Sequence, residues 1–193
     1  MEIKGDLHNY IICFDNVLPK EIFFNFKKIC KEYIKYQDAL VVDDNSHKID
    51  KKVRKTSMWN LTPVGVNSLT QVHWANFMFN TFNIFIKEYM KKIGCDELFQ
   101  VNNIQVLKYG LGGHYVFHTD YCKSIPRAFS CIFLINDDYE GGDLIFKYPH
   151  SEKKTKIDKR ENRMIIWPSN FLYPHSVLPV TKGERYSVVA WAL

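Results

Sequence analysis

The sequence predicts a mainly β protein of the α+β class, with a barrel of two sheets in its C-terminal half and supporting helices in its N-terminal half. From residue 100 onward, short runs of β-branched and aromatic residues alternate with glycine-containing turns, as in antiparallel sheets. Before residue 100, apolar residues recur instead at the spacing of amphipathic helices. With 193 residues, 46% of them hydrophobic, the chain can bury one sizeable core. We therefore expect a single domain over residues 1–193, with supporting elements in 1–99 and the barrel core in 100–193.

The N-terminal half is expected to contribute one strand and two helices. Tyr10–Phe14 is an apolar run that predicts a strand. Glu21–Tyr36 predicts an amphipathic helix, whose apolar face comprises Ile22, Phe26, Ile29 and Tyr33. Asn67–Ile93 predicts a long helix, because its last turn carries two lysines and Gly94 follows directly. The charged stretch Asp43–Lys55 between the helices predicts a loop.

The C-terminal half predicts strands joined by tight turns. The predicted strands are Gln105–Tyr109, Tyr115–Phe117, Cys131–Ile135, Leu144–Phe146 and Met164–Trp167. Gly110–Gly113 separates the first two strands, and Asp138–Gly142 separates the next two. The paired glycines Gly141 and Gly142 permit the positive φ angles at which an antiparallel hairpin reverses.

A metal site is predicted from His118, Asp120 and His175. Two imidazoles and one carboxylate are the ligand set that holds a non-haem Fe(II) on one face and leaves the opposite positions open. Residues i and i+2 of a strand share a face, so His118 and Asp120 can approach one metal if they lie at a strand end. His175 then has to return to this metal from a distant strand, and the interval is long enough for the several short strands of a two-sheet barrel.

The C-terminal half also carries an ordered series of motifs. The series begins with Gln105, Tyr109, Gly112, Gly113, Tyr115, His118 and Asp120, and continues with Arg127, Ser130, Phe133, Leu134, the run from Asp138 to Leu144, and Phe146. It ends with Pro168, Ser169, Tyr173, Pro174, His175, Val177, Pro179, Val180, Gly183, Arg185, Tyr186, Ser187 and Trp191. In this order, residues 100–193 resemble the 2-oxoglutarate- and Fe(II)-dependent oxygenases, and within them the prolyl 4-hydroxylase-like branch.

The resemblance implies a fold, a ligand set and a co-substrate site. The fold would be a double-stranded β-helix, or jelly roll, and His118, Asp120 and His175 would be the catalytic metal ligands for Fe(II). Arg185 would pair with the distal carboxylate of 2-oxoglutarate in a bidentate geometry that lysine cannot reproduce. Ser187 would share the strand face of Arg185 and donate to the same carboxylate, and the phenol of Tyr109 would reach the co-substrate. Dioxygen is the further co-substrate, and ascorbate is an expected accessory reductant.

The implied activity is hydroxylation of an unactivated C–H bond, with release of succinate and carbon dioxide. The resemblance favours a prolyl residue in a protein or peptide as substrate, and it places a further strand at Val53–Trp59 near the substrate entrance. Arg54, Trp59 and Tyr121 are entrance candidates by position. Two alternatives stay open: a free amino acid or other small metabolite as substrate, and a non-catalytic jelly-roll module that only binds.

The charge and the composition limit the classes of partner that we expect for this protein. The net charge is +5, and a basic cluster between Lys147 and Arg163 predicts a solvated loop, with an acidic or nucleic-acid partner as the alternative. The resembling alkylation-repair demethylases carry a second arginine at the position that Trp191 occupies here, which makes nucleic acid an unexpected substrate. The resembling halogenases replace the metal carboxylate by a small residue, and Asp120 excludes that pattern.

The remaining expectations concern location and thiols. No apolar stretch reaches the length of a membrane span, and Met1–Asp6 lacks the apolar region of a secretory signal, so we expect a cytoplasmic protein. The five cysteines, Cys13, Cys30, Cys95, Cys122 and Cys131, show no Cys-x-x-Cys spacing, which argues against a disulfide framework or a structural zinc site. The oligomeric state stays open.

Overall fold

Sixteen strands, two α-helices and two short helical turns make up the described part of the chain. The structure is a computed structural model, and it describes residues 6–39, 41–43, 46–62, 68–121, 126–149 and 152–193. The helical elements are a 3-10 turn (Leu7–Tyr10), α1 (Lys20–Lys28), a π-helical turn (Ile29–Tyr33) and α2 (Leu69–Ile93). The strands are β1 (Ile12–Asp15), β2 (Gln37–Asp38), β3 (Val41–Asp43), β4 (Ser46–Lys48), β5 (Arg54–Lys55), β6 (Ser57–Asn60), β7 (Val101–Tyr109), β8 (His114–His118), β9 (Phe129–Leu134), β10 (Glu140–Gly141), β11 (Leu144–Lys147), β12 (Lys154–Lys156), β13 (Arg163–Pro168), β14 (His175–Val177), β15 (Val180–Lys182) and β16 (Arg185–Ala192).

Two main antiparallel sheets form the barrel. The larger sheet has the strand order β1-β13-β9-β16-β7-β6-β2, and the smaller sheet has the order β12-β11-β14-β8-β5. The strand pairs β10–β15 and β3–β4 form two further small sheets. This mainly β architecture with two helices confirms the predicted fold class. Strands β1, β2 and β6 come from the N-terminal half, so that half builds part of the larger sheet as well as supporting it.

The larger sheet is buried on both faces, because consecutive side chains point to opposite sides of a strand. On β16, Val188 belongs to the hydrophobic core on the helix side, whereas Val189 belongs to the core formed jointly with the smaller sheet. On β9, Phe133 and Leu134 divide in the same way. Helix α2 covers the outer face with Trp74, Ala75, Met78, Phe82, Ile86, Tyr89 and Met90. The aromatic residues of α2 therefore pack against the barrel.

Helix α1 is shorter than predicted. The α-helical ladder stops at Lys28, and the π-helical turn then ends the helix before Ile34. Phe26 is fully buried as predicted, but Tyr33 is 66% exposed, so its assignment to the buried face was wrong. The physical reason is that a π turn winds more residues into each turn than an α-helix and rotates the later side chains away from the α-helical stripe.

The first strand and the second helix differ from the sequence prediction mainly at their ends. Strand β1 begins at Ile12, because the preceding residues form a 3-10 turn in which the Asp6 carboxylate accepts a hydrogen bond from the backbone N–H of His8. Helix α2 begins at Leu69, and the predicted start at Asn67 lies outside the described residues. It ends as predicted at Gly94, which has a φ of 69°. No helix in the described ranges is long and apolar enough to cross a membrane.

Two charged stretches, for which the sequence predicts loops, contain strands in the structure. Within Asp43–Lys55, β4 pairs with β3, and Arg54 of β5 lies opposite Tyr115 of β8. Within the basic cluster, β12 pairs with β11 and extends the smaller sheet to its edge. These strands have few apolar residues, so their backbone pairing leaves no hydrophobic pattern in the sequence. Arg163 was expected to lie in a solvated loop, but it is buried in β13. Its guanidinium forms a bidentate pair with Asp15 at 2.7 and 2.9 Å.

The turn between β10 and β11 depends on its glycines. Gly141 and Gly142 have φ angles of 67° and 60°, which confirms the predicted left-handed backbone. The predicted hairpin is wrong, because β9 lies in the larger sheet and β11 in the smaller sheet, so the turn carries the chain from one sheet to the other. A Cβ atom on Gly141 would lie 2.3 Å from the carbonyl oxygen of Pro179. That oxygen accepts a hydrogen bond from the N–H of Gly142 at 3.1 Å, so it cannot move away freely.

We therefore expect Gly141→Ala to lower the free energy of unfolding by roughly 3 kcal/mol, through left-handed strain and overpacking together. Gly94→Ala is the matched control, because Gly94 has a similar φ of 69° but open space around its Cβ position. It should lose only about 1 kcal/mol. Urea denaturation of both variants measures the difference, and equal losses would contradict the crowding argument.

Candidate metal centre

The three predicted ligands come together at one end of the smaller sheet. His118 is the last residue of β8, His175 is the first residue of β14, and the two residues lie directly opposite each other in the strand pair. Their ring centroids are 4.3 Å apart. Asp120 follows the end of β8, with Oδ1 3.8 Å from His118 Nε2 and Oδ2 3.6 Å from His175 Nε2. One ligand atom from each residue lies within 4.8 Å of the others, a spacing that could hold a metal ion.

Backbone hydrogen bonds fix the tautomer of both imidazoles. His118 Nδ1 lies 2.8 Å from the carbonyl oxygen of Val116, and His175 Nδ1 lies 3.1 Å from the carbonyl oxygen of Tyr173. A carbonyl oxygen only accepts, so each Nδ1 carries the proton and donates it. In a neutral imidazole the other nitrogen, Nε2, then keeps its lone pair. Both lone pairs are on the side of Asp120, as metal coordination requires.

The electrostatics of the cluster favour the same protonation states. Burial and the neighbouring His175 lower the pKa of His118 to about 3, so its ring is neutral at physiological pH. Burial works to raise the pKa of Asp120, but His175, His118 and the Ser130 hydroxyl together bring it below its ordinary value. Asp120 is therefore a carboxylate beside the neutral imidazole of His118. These are the states in which these two side chains can ligate a cation.

Aromatic side chains surround the two histidines. The Tyr115 ring stacks on the His118 ring with a centroid distance of 3.6 Å and an interplanar angle of 18°. The rings of Trp167 and Phe146 lie 5.0 and 5.6 Å from the His175 ring. These contacts restrict ring rotation, so the histidines are held by packing as well as by hydrogen bonds.

The predicted co-substrate residues lie together inside the barrel. Arg185 is 1% exposed, and its Nη1 donates to the Ser187 hydroxyl oxygen at 2.8 Å. Tyr109 lies opposite Arg185 in the β16–β7 pair, with its ring centroid 5.0 Å from the guanidinium carbon. Gly142 passes close by, because a Cβ atom there would lie 3.1 Å from Arg185 Cδ. The turn glycine thus makes room for the arginine side chain.

The guanidinium of Arg185 has an edge that suits a carboxylate. Its Nε and Nη2 atoms are buried and have no hydrogen-bond partner among the described residues. These two atoms form the fork that binds a carboxylate through two parallel hydrogen bonds. Leaving such donors unsatisfied in the interior is costly, which indicates that an anion completes the site. The residues therefore fit an organic acid such as 2-oxoglutarate.

The residues predicted to line the substrate entrance differ in how close they lie to the cluster. Arg54 lies over the Tyr115 ring at 4.9 Å, and Tyr121 is 58% exposed directly after Asp120, so both are near the site. Trp59 packs against the core on the helix side, and its assignment to the entrance was wrong. Its neighbour Met58 packs against the core between the sheets, since adjacent residues of a strand point to opposite faces. His114 contacts backbone carbonyls through both ring nitrogens and is not part of the ligand cluster.

Sequence reasoning assigned no role to three further residues at the site. The Ser130 hydroxyl donates to Asp120 Oδ2 at 2.6 Å and lies 2.7 Å from the Ser169 hydroxyl. Arg127 Nη1 donates to the Asp120 carbonyl oxygen at 3.4 Å, and its guanidinium stacks on the Trp191 ring at 4.1 Å. Ser130, Ser169 and Arg127 all occur in the motif series, but only the fold reveals their contacts. Cys122, which follows Asp120 by two residues, lies outside the described residues.

Comparisons with known proteins agree with this geometry. Residues 104–193 match the family model described as the 2OG-Fe(II) oxygenase superfamily. A PKHD-type hydroxylase from Alteromonas mediterranea is 44% identical over 61 residues, which are 31% of this chain and 25% of the relative. The chain thus spans only about a quarter of the length of that relative.

Two solved structures share the fold over nearly the whole chain. The prolyl-4-hydroxylase of Pseudomonas putida has a TM-score of 0.68 and 16% identity, with coverage of 94% of this chain and 91% of that chain. A prolyl hydroxylase from Trichoplax adhaerens, in complex with a hypoxia inducible factor peptide fragment, has a TM-score of 0.72 and 16% identity, with coverage of 96% and 84%. These likenesses confirm the predicted jelly-roll fold. Residues 104–193 are therefore similar to the 2OG-Fe(II) oxygenase superfamily, in agreement with the geometry of the cluster.

Proposed function

We propose that this protein is an Fe(II)- and 2-oxoglutarate-dependent dioxygenase in which His118, Asp120 and His175 hold the metal. The observation that carries the proposal is the cluster itself: two imidazoles and a carboxylate with ligand atoms within 4.8 Å of one another. This is the facial ligand set of non-haem iron oxygenases. Arg185 would bind the distal carboxylate of 2-oxoglutarate, with Ser187 and Tyr109 beside it. Residues 1–193 would act as one oxygenase domain, since both halves contribute strands to the larger sheet.

The residues of this chain have three tasks in the reaction. When bound, iron couples the decarboxylation of 2-oxoglutarate to succinate and carbon dioxide with the insertion of one oxygen atom of dioxygen into a C–H bond. The two histidines and Asp120 would hold the metal and leave its remaining positions to the reactants. Arg185 fixes the far end of the co-substrate, so that its keto acid end is oriented toward the metal. The buried aromatic rings around the histidines keep bulk water away from the ligands.

We further propose that the substrate is a prolyl residue in a protein or peptide. The structural neighbour from Trichoplax adhaerens is a prolyl hydroxylase that holds a peptide, and the neighbour from Pseudomonas putida is a prolyl-4-hydroxylase. The surface beside the metal ligands suits an extended chain, because Tyr121 next to Asp120 and Phe171 ahead of His175 are both exposed aromatic side chains. Exposed aromatic rings of this kind are favourable contacts for proline-rich segments.

The test is succinate formation by purified protein with Fe(II), ascorbate, dioxygen and 2-oxoglutarate, with and without candidate substrates. We expect a low uncoupled rate and a clear stimulation by some proline-containing peptides, which should gain the mass of one oxygen atom. The same peptides with proline replaced by alanine are the matched controls. Stimulation by free amino acids alone would favour the small-metabolite alternative. Absence of succinate together with absence of iron binding would favour a non-catalytic binding module.

A further inference from the structure

Two buried serine hydroxyls form a chain that ends on the carboxylate of Asp120. Ser130 and Ser169 are each 1% exposed. The distances are 2.6 Å from Ser130 Oγ to Asp120 Oδ2 and 2.7 Å from Ser130 Oγ to Ser169 Oγ. The first distance is in the range for a hydroxyl that donates to a charged acceptor, and the second is an ordinary O–H···O hydrogen-bond length.

The direction of both hydrogen bonds is fixed by chemistry. An ionised carboxylate only accepts, so Ser130 must donate its single proton to Asp120. Ser130 then has only lone pairs left for Ser169, and Ser169 must be the donor of the second bond. The order is therefore Ser169 to Ser130 to Asp120, and each hydroxyl polarises the next in the direction of the negative charge.

This chain of hydroxyls supplies Asp120 with an anchor that the strand ladder does not. His118 and His175 lie within paired strands, whereas Asp120 lies beyond the end of β8. Ser130 belongs to β9, near the middle of the larger sheet, where it is paired with Trp167 of β13 on one side and Trp191 of β16 on the other. The carboxylate of Asp120 is thus held from a rigid strand on the opposite wall of the barrel.

We infer that Ser130, backed by Ser169, is a positioning residue that holds the Asp120 carboxylate in the orientation in which it would ligate the metal. This inference rests on the proposed function. The hydrogen bond from Ser130 to Oδ2 would restrict rotation of the carboxylate and keep it directed toward the two histidines. Without Ser130, the carboxylate is free to rotate and to bind through both oxygens or to turn away.

The experiment is a titration of metal-free protein with Co(II), followed by its visible absorption and by calorimetry. We expect Ser130→Ala to weaken Co(II) affinity roughly 10- to 100-fold, as is usual when a hydrogen bond to a metal ligand is lost. Ser130→Thr keeps the hydroxyl and should stay within about threefold of the wild type. Ser169→Ala removes only the outer bond, so its loss should be smaller than that of Ser130→Ala.

Ser176→Ala is the matched control. Ser176 is buried next to His175, and its hydroxyl has no hydrogen-bond partner among the described residues, so its removal should leave Co(II) affinity unchanged. Equal losses in the Ser130→Ala and Ser176→Ala variants would show general loosening of the core and overturn the inference. Wild-type affinity in Ser130→Ala would also overturn it. If Ser130→Ala does not fold, then wild-type affinity in folded Ser169→Ala counts against the inference in the same way.

The Co(II) titrations distinguish a failure of this inference from a failure of the proposed function. Wild-type protein that does not bind Co(II) would contradict the metal site itself. Wild-type protein that binds, with the serine variants indistinguishable from it, would leave the metal site intact and remove only the role of Ser130.

Discussion

Asp120→Ala is expected to abolish succinate formation, with a loss of more than about 1000-fold relative to the wild type. Asp120 is the only carboxylate of the described ligand cluster, and without it a divalent cation would face two neutral imidazoles and no compensating charge. Fe(II) affinity should fall together with the rate, because the site would lose one of three protein ligands. Both quantities are accessible: the rate from succinate formation, and the affinity from Co(II) titration of the metal-free protein.

Two further variants test whether the loss of turnover is specific to the ligand cluster. Asp138→Ala removes a carboxylate that pairs with Lys31 at 3.2 Å outside the cluster, and it should keep wild-type turnover. His175→Ala removes another ligand and should resemble Asp120→Ala. Turnover at the wild-type rate in the Asp120 variant would refute the metal assignment. Loss of turnover with full metal affinity would instead indicate that Asp120 acts on the substrate.

The spatial closeness of His118, Asp120 and His175 is the part of this site that sequence alone predicts well. His118 and Asp120 are separated by one residue at the end of a β pattern, and the i, i+2 geometry of a strand brings both to one face. The glycines of the turn at Gly141 and Gly142 are similarly local, because the positive φ that they adopt is a property of glycine itself. Where the geometry of a feature depends on residues close together in the chain, the sequence is sufficient to predict it.

The features that sequence analysis missed depend on tertiary pairing. The bond between Ser130 and Ser169 joins residues 39 positions apart, and neither serine differs locally from an ordinary strand residue. The strand at Lys154–Lys156 has no apolar alternation, so only its partner β11 defines it. The predicted strand Val53–Trp59 divides into β5 and β6, which belong to different sheets. Trp59 lies on the helix side of β6, because a shift of one residue along a strand reverses the face to which a side chain points.

Arg185→Met is expected to raise the KM for 2-oxoglutarate at least about 100-fold, because a buried charge-assisted pair of hydrogen bonds is lost. The same variant should not destabilise the ligand-free protein. The guanidinium of Arg185 is almost completely buried, and its Nε and Nη2 have no partner among the described residues, so its replacement by an apolar side chain of similar length removes an unsatisfied group. A merely structural arginine would show the opposite pattern, with lower stability and unchanged co-substrate affinity.

Thermal unfolding distinguishes these two roles without turnover. In the wild type loaded with Mn(II) and no oxygen, 2-oxoglutarate should raise the Tm, because a ligand that binds only the folded state stabilises it. In Arg185→Met this shift should disappear, while the Tm without 2-oxoglutarate stays at or above that of the wild type. Arg185→Lys keeps the charge but loses the planar fork, and should retain part of the shift. An undiminished shift in Arg185→Met would mean that another cation binds the carboxylate, and Lys182, which pairs with Glu140 at 2.8 Å on the surface, would be the next residue to replace.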